Sequence, residues 1–404
     1  MSATRSNWNR RSVLRTSAAA ATVAPLTGFT TDRTGGGAAT ATPPAGAAVA
    51  GDKPFNVPAY TAPSATESLV PTTIRRRAVG PRDVLIEIKF AGICHSDIHT
   101  VRGHWGPQTY PLVPGHEIAG IVTQVGSKVS RHRAGDRVGV GCMVNSCRTC
   151  ANCRKGLEQY CLNGNVQTYG SVDRDGTITQ GGYSTHVVVD EDFVLKIPKS
   201  IPLEKAAPIL CAGVTTYSPL KHWRAGRGTK VAINGLGGLG HMGVQIAHAL
   251  GAEVTVLSRT PGKKRDARRF GADHFHLTTE QSTLDKLAHT FDLVVNTVPQ
   301  PVDLNRLMPM LTLDGVWVNV GAFAEPLPIS VFMTFTNRLS FAGSGIGGIA
   351  ETQEVLNFCA QHGITPEVEV IPADRINEAY DQVVAAEARY RYVIDTATLG
   401  RSHR

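Results

Sequence analysis

No stretch of this chain holds the ~18 consecutive apolar residues that a membrane-spanning helix needs, and no segment repeats along its 404 residues. The first absence excludes an integral membrane protein and the second a solenoid or propeller. Charge is also scarce, at 18% of residues against 42% hydrophobic, the balance of a globular protein large enough for two domains. A strong excess of one sign is missing as well. The formal charge is +8, but Arg5, Arg10, Arg11, Arg15 and Arg33 face only Asp32 in the opening stretch, which supplies half of it.

Cysteine is infrequent too, with eight residues in all, yet five of them fall in GCMVNSCRTCANCRKGLEQYC. Cys147, Cys150 and Cys153 are three apart and Cys161 follows eight later, so one short loop can turn four sulfurs to a point. That spacing predicts a closed tetrahedral zinc site, structural because no ligand position stays open. Scattered free or disulfide-bonded thiols are the competing reading, which metal analysis separates. A second set lies far apart along the chain: Cys94 in GICHSDIH, His116 and Glu117 in PGHE, and Cys211 in ILCAGVTTY. Two thiolates and an imidazole leave a position for water or substrate, the donor set of a catalytic zinc. Thiolate ligands imply assembly in a reducing compartment. A four-thiolate zinc carries a net −2, which brings the mature body to about +2, so no nucleic-acid partner is expected. Cys142 and Cys359 are left over and read as small buried hydrophobes.

Four segments follow in chain order. Residues 1–57 hold NRRSVLRTSAAAATVAPLTGF, with paired Arg10 and Arg11 before an alanine-rich run, then a Gly/Ala/Thr/Pro linker with Ala48-Val49-Ala50 before Gly51. This resembles a twin-arginine export signal; a disordered extension from a misassigned start is the alternative, and neither is expected to pack into the core. In 58–212 the alternation of DVLIEIKFAGI, EIAGIVTQVG, DRVGVG, YSTHVVV and FVLKIP predicts a partly closed antiparallel β domain. In 213–341 the apolar runs KVAIN, EVTVL, FDLVVNT and VWVNV alternate with helical stretches, which predicts a doubly wound parallel sheet. Residues 342–404 are expected to return to the first domain. The fold class is therefore α/β.

KVAIN runs into GLGGLGHMGVQIAHAL. Gly235, Gly237 and Gly240 form G-x-G-x-x-G between strand and helix, with Gly238 in the same turn, the pattern that cradles a dinucleotide pyrophosphate at a helix N-terminus. The carboxylate that would accept an NAD ribose hydroxyl about 20 residues on is absent. Ser258, Arg259 and Thr260 stand there, with Lys263 and Lys264 beyond, which predicts NADP(H).

Two zinc sets, a β domain and this nucleotide motif together resemble the zinc-dependent medium-chain alcohol dehydrogenases, within them the cinnamyl alcohol dehydrogenase branch and bacterial NADP-dependent enzymes of the actinobacterial type. GICHSDIHTVRG, YPLVPGHEIAG, GDRVGVG, GLGGLGHMG, GSGIGGIAETQE and RYRYVID carry the likeness. It implies a GroES-like catalytic domain joined to a Rossmann domain, and two Zn²⁺ per chain. It further implies hydride exchange between NADP(H) and a primary alcohol or aldehyde, aromatic or medium-chain, with zinc polarising the substrate oxygen. Carried over by position, Cys94, His116 and Cys211 hold the catalytic zinc, with Glu117 beside it as an alternate ligand. Asp97 orients His116, Ser96 and His99 form a proton relay through the cofactor ribose, and Thr215 lies near the nicotinamide. A dimer or tetramer is implied.

Departures from the branch are His95 where relatives can carry an arginine near the pyrophosphate, His104 for an acidic residue before Trp105, and Asn145 for an aspartate. Trp105 and Tyr110 are candidates for a pocket wall. The alternatives are an NAD-dependent polyol dehydrogenase of the same fold and a non-catalytic zinc protein. The arginine pair points to export, whereas the soluble NADPH pool makes the cytoplasm the alternative location.

Overall fold

A computed structural model describes residues 53–400, which fall in one compact unit. The twin-arginine pattern and its cleavage site lie outside the described residues. The stretch expected not to pack is corrected at its end: a strand opens at Phe55 (Phe55–Thr61) and buries Val57, Ala59 and Thr61. Alternate side chains turn inward because this strand pairs in antiparallel register with Val70–Arg76.

The alternation in DVLIEIKFAG forms the strand Asp83–Gly92, which lies inside a seven-stranded, mostly antiparallel sheet. Ile118–Val125 runs along one edge of it, and His186–Asp190 and Arg391–Asp395 share the other. Val84, Ile86 and Ile88 point to the face that also holds Val122, Val138, Val187 and Phe193, each contributing about 1.5–3 kcal/mol by leaving water. The pairing has a local consequence. Ala91 is opposite Ile118, and the Gly92 N–H donates to the Glu117 carbonyl at 2.9 Å, so Cys94, just past one strand, comes beside His116, just before the other.

The second sheet is parallel and six-stranded, in the spatial order His274–Leu277, Glu253–Ser258, Lys230–Asn234, Phe291–Asn296, Leu311–Asn319, Ser340–Gly343. By chain order this is 3-2-1-4-5-6, the dinucleotide-binding arrangement, whose crevice opens at the carboxyl end of its first strand. Four of these strands match the apolar runs read from the sequence. HFHL and SFAG are too short and mixed to show a period. The helix Ile349–His362 buries Val355, Leu356 and Cys359 in the same core as Val214, Ile233 and Val318. Val368–Ile371 and Arg391–Asp395 then pair with each other and join the antiparallel sheet. Among the described residues no helix is long and apolar enough to cross a membrane.

Candidate active site

Cys147, Cys150, Cys153 and Cys161 bring four sulfurs within 4.8 Å of one another, with Cys147 Sγ and Cys153 Sγ 3.9 Å apart. A tetrahedron on ~2.3 Å Zn–S bonds has edges close to ~3.8 Å, so the donors fit the ion. Backbone N–H groups of Cys147, Cys150, Cys153 and Leu162 donate to neighbouring sulfurs of the set at 3.3–3.5 Å. Amides of Thr149 and Cys150 pull the Cys147 thiol down to about 5, while burial pushes Cys153 up to about 12. Four sulfurs this close cannot all ionise unaided, and a dication resolves the conflict.

The second set is buried throughout. Cys94, His116, Glu117 and Cys211 place one donor each within 4.8 Å of the others; Cys94 Sγ and Cys211 Sγ are 4.0 Å apart and His116 Nε2 is 3.2 Å from Cys211 Sγ. The donor types and spacing fit zinc as well. Cys94 precedes the helix His95–Val101, and the Asp97 carboxylate accepts its N–H at 2.9 Å. The other Asp97 oxygen is 2.8 Å from His116 Nδ1, which commits that nitrogen as the donor and turns the Nε2 lone pair to the sulfurs. Cys211 lies in a π-helical turn, Ile209–Gly213, between Leu203–Pro208 and Val214–His222, a distortion common at functional positions. Hydrogen bonding with Cys211 holds the Cys94 thiol well below its usual range.

Glu117 is fully buried, and burial pushes its carboxyl up to about 8 against the opposing charge of Arg391. The Arg391 guanidinium is 3.0 Å from it, and neither Glu117 oxygen has a hydrogen bond. Gly92 makes room for this carboxylate, since a Cβ there would come within 2.0 Å of Glu117 Oε2.

On the nucleotide side Gly235 has φ +95°, and a Cβ on Gly240 would come within 2.1 Å of the Gly235 carbonyl oxygen, so turn and helix close only with these residues. A Cβ on Gly237 meets nothing within 4 Å: that face is open for a ligand. Lys263 Nζ donates to the Leu236 carbonyl at 2.8 Å, holding a cation against the turn. Ser258 is buried and accepts the Thr260 N–H at 3.0 Å, while Arg259 is exposed and lines the cavity.

One cavity of about 830 Å³ runs from this turn to the second cysteine set, lined by Cys94, His116 and Cys211 at one end and Gly237, Gly238, Arg259 and Lys263 at the other. Ser96, His99, Thr215 and Trp105 also line it; Tyr110 does not, its hydroxyl donating to the Val101 carbonyl instead. His99 Nε2 and Thr215 Oγ1 are buried without a hydrogen-bond partner, as groups awaiting a polar ligand are. Burial, then the charges of His95 and His104, lower His99 to about 4, so the ring is neutral at neutral pH.

Three residues around the cavity have roles that the linear chain does not announce. Arg391, within RYRYVID, has its guanidinium 3.0 Å from where a Gly238 Cβ would sit, under the glycine-rich turn. His241 is neutral, lowered to about 3 by burial, with Nδ1 3.1 Å from the Gly237 carbonyl oxygen and Nε2 accepting the Glu367 N–H. Cys142, expected to be a buried hydrophobe, is half-exposed in the cavity wall, where it pushes the Cys211 thiol up; Cys359 is buried as expected.

Two family models match: the alcohol dehydrogenase GroES-like domain over residues 80–199 and zinc-binding dehydrogenase over 238–361. The chain is 58% identical over 344 residues to the NADP-dependent alcohol dehydrogenase C 1 of Mycolicibacterium smegmatis, covering 85% of this chain and 99% of that one. Among solved structures it resembles a cinnamyl alcohol dehydrogenase of Sorghum bicolor (TM-score 0.84, 40% identity, 87% of this chain and 100% of that one). A second is the cinnamyl alcohol dehydrogenase of Helicobacter pylori complexed with NADP(H) (TM-score 0.80, 44% identity, 85% and 99%). With the ligand sets, the parallel sheet and these likenesses in agreement, the chain belongs to the zinc-dependent medium-chain alcohol dehydrogenases.

Proposed function

We propose that the protein is an NADP(H)-dependent alcohol dehydrogenase or aldehyde reductase for aromatic or medium-chain primary alcohols and aldehydes. The observation that carries this is the single cavity joining an open Cys₂His donor set to a glycine-rich turn rimmed by Arg259 and Lys263. The mycobacterial relative is named for NADP and the Helicobacter pylori structure holds NADP(H). The absence of a carboxylate after the second parallel strand favours the same choice for this chain.

Cys94, His116 and Cys211 would hold the catalytic zinc, and Cys147, Cys150, Cys153 and Cys161 the structural one. When bound, the zinc polarises the substrate oxygen and the nicotinamide exchanges hydride with the carbonyl carbon. The chain's own part is positional and protonic. Asp97 fixes the tautomer of His116. Ser96 orients the substrate oxygen and passes its proton toward His99, neutral and therefore able to accept it. His99 Nδ1 is 3.0 Å from Nδ1 of the exposed His104, a route onward to solvent. Gly237 would leave room for the pyrophosphate, with Arg391 and Lys263 as counter-charges, and the unpartnered Thr215 hydroxyl would serve the nicotinamide end. Glu117, held off by Arg391, is the alternate ligand.

A homo-oligomer has a candidate face in Val331, Phe332 and Phe335, 73%, 72% and 61% exposed. They lie just before Ser340–Gly343, the outermost strand of the parallel sheet, and an apolar patch beside an unpaired edge invites a second copy.

The test is nicotinamide oxidation by zinc-loaded and chelated enzyme with NADPH and NADH against benzaldehyde, cinnamaldehyde, octanal and fructose. Zinc-dependent consumption of NADPH with the aldehydes is expected. Activity with NADH and fructose alone would transfer the assignment to the polyol dehydrogenases, and inactivity of a zinc-replete protein to a non-catalytic role.

A further inference from the structure

Asp97 is surrounded by donors, and one of them belongs to no expected site. The amides of Cys94 and Gly115 and the His116 ring account for three of its contacts, at 2.9, 3.2 and 2.8 Å. A fourth is the hydroxyl of Tyr183, which donates to Oδ2 at 3.2 Å, and the Tyr169 hydroxyl also neighbours this carboxylate. Tyr183 is 0% exposed, and its ring lies where a Cβ on Gly115 would be, 2.6 Å from Cδ1. Its own N–H donates to the Pro114 carbonyl at 3.0 Å. The side chain is therefore fixed at both ends against the turn that carries His116. Burial, reinforced by the Asp97 charge, raises its phenol well above the ordinary value, so it remains a donor.

We propose that the Tyr183 hydroxyl is a positioning group for the catalytic metal: through Asp97 it sets how tightly His116 is held to the ion, and so how long the ion stays. This role rests on Cys94, His116 and Cys211 being a zinc set, as proposed above. A carboxylate that orients a ligating imidazole does so only if its own rotation is stopped. Here Oδ2 is pinned by one amide and one phenol. Without the phenol that oxygen loses one of its two hydrogen bonds, and the carboxylate is freer to rotate away from Nδ1. Tyr380 supplies an internal comparison. Its ring meets that of Tyr183 edge-on at 6.4 Å, it is buried in the same cluster, and its hydroxyl neighbours that of Tyr183 rather than bonding to Asp97. The two phenols thus share packing and differ in whether they touch Asp97.

The experiment follows zinc release from the full-length holoprotein to a chromogenic chelator, where two phases are expected, one per site. His116→Ala should remove one phase and leave the four-cysteine phase; if both persisted, the zinc-set reading itself would fail, independently of Tyr183. Tyr183→Phe should speed the His116-dependent phase about 10-fold with the other phase unchanged, which also reports that the protein is folded. The visible absorption of cobalt in that site should shift with it. Tyr380→Phe should leave both rates and the spectrum as in wild type. Unchanged release and spectrum in Tyr183→Phe would overturn the proposal. So would equal acceleration of both phases, or the same acceleration in Tyr380→Phe, since either marks loss of packing.

Discussion

The two sulfur clusters use one element of chemistry in opposite ways. Cys147, Cys150, Cys153 and Cys161 come from a single loop, are largely near the surface, and receive their hydrogen bonds from adjacent backbone amides. Cys94, His116 and Cys211 come from three separated segments and are buried, and the first two are held by the Asp97 carboxylate. A loop that brings its own ligands needs the metal in order to fold, because little else packs it. A set assembled by two paired strands and a π-helical turn is held by the fold, and its metal is free to do chemistry. Buried, long-range ligands thus mark the site where a ligand position can be kept open.

Removing one ligand from each cluster should have opposite consequences. Cys94→Ser should lower turnover about 1,000-fold or more, halve the zinc content by elemental analysis and leave both NADPH binding and the thermal midpoint near wild type. Cys153→Ser should do the reverse in kind: a fall in Tm of roughly 10 °C, with activity lost only as the protein unfolds. If both variants lost stability equally, the distinction between folding metal and working metal would be wrong.

A smaller effect tests the far end of the same cavity. Arg259 is exposed beside the glycine-rich turn, and a carboxylate in its place would repel a 2′-phosphate. Arg259→Asp should weaken NADPH about 10–100-fold, one to two powers of ten at 1.4 kcal/mol each, while NADH binding stays within about twofold. Titration of bound-nicotinamide fluorescence measures both. Equal affinities for NADPH before and after the change would remove Arg259 from the phosphate site.

Legibility in the sequence follows the same division. The contiguous cysteines are readable from spacing, because sulfurs at three-residue intervals in one loop suit little besides a metal ion. The glycine-rich turn is readable because Gly235 and Gly240 are sterically compelled and stand between a strand and a helix. Cys94, His116 and Cys211 are readable as a donor set by residue type, but the contact that brings them together is not, since nothing local says that Ala91 pairs with Ile118. Arg391, Tyr183 and Cys142 are hidden for the same reason. Each owes its role to a neighbour brought close by the sheet, and in the linear chain an arginine, a tyrosine and a cysteine of these kinds look like surface and core. The strands His274–Leu277 and Ser340–Gly343 are hidden because four residues do not show a period, and they are sheet by virtue of their partners.

A pH-dependent effect separates the glycine-rich turn from both metal sites. His241 is 0% exposed and burial lowers it to about 3, from an unfolded value near ~6.5. Its folded pKa is the depressed one, so between these values the unfolded chain binds a proton that the folded chain refuses, and stability falls as pH drops from about 6.5 toward 3. At 1.36 kcal/mol per unit the full span amounts to at most about 5 kcal/mol. Acidification also protonates the zinc thiolates, so the wild-type slope alone mixes two causes. His241→Gln keeps a polar side chain beside the Gly237 carbonyl but cannot ionise. Metal loss is common to both proteins and cancels in their difference, so denaturant melts across this range should show a shallower pH slope for the variant. Parallel slopes would mean that acid sensitivity resides in the sulfur clusters and that His241 is charged without cost in the folded turn.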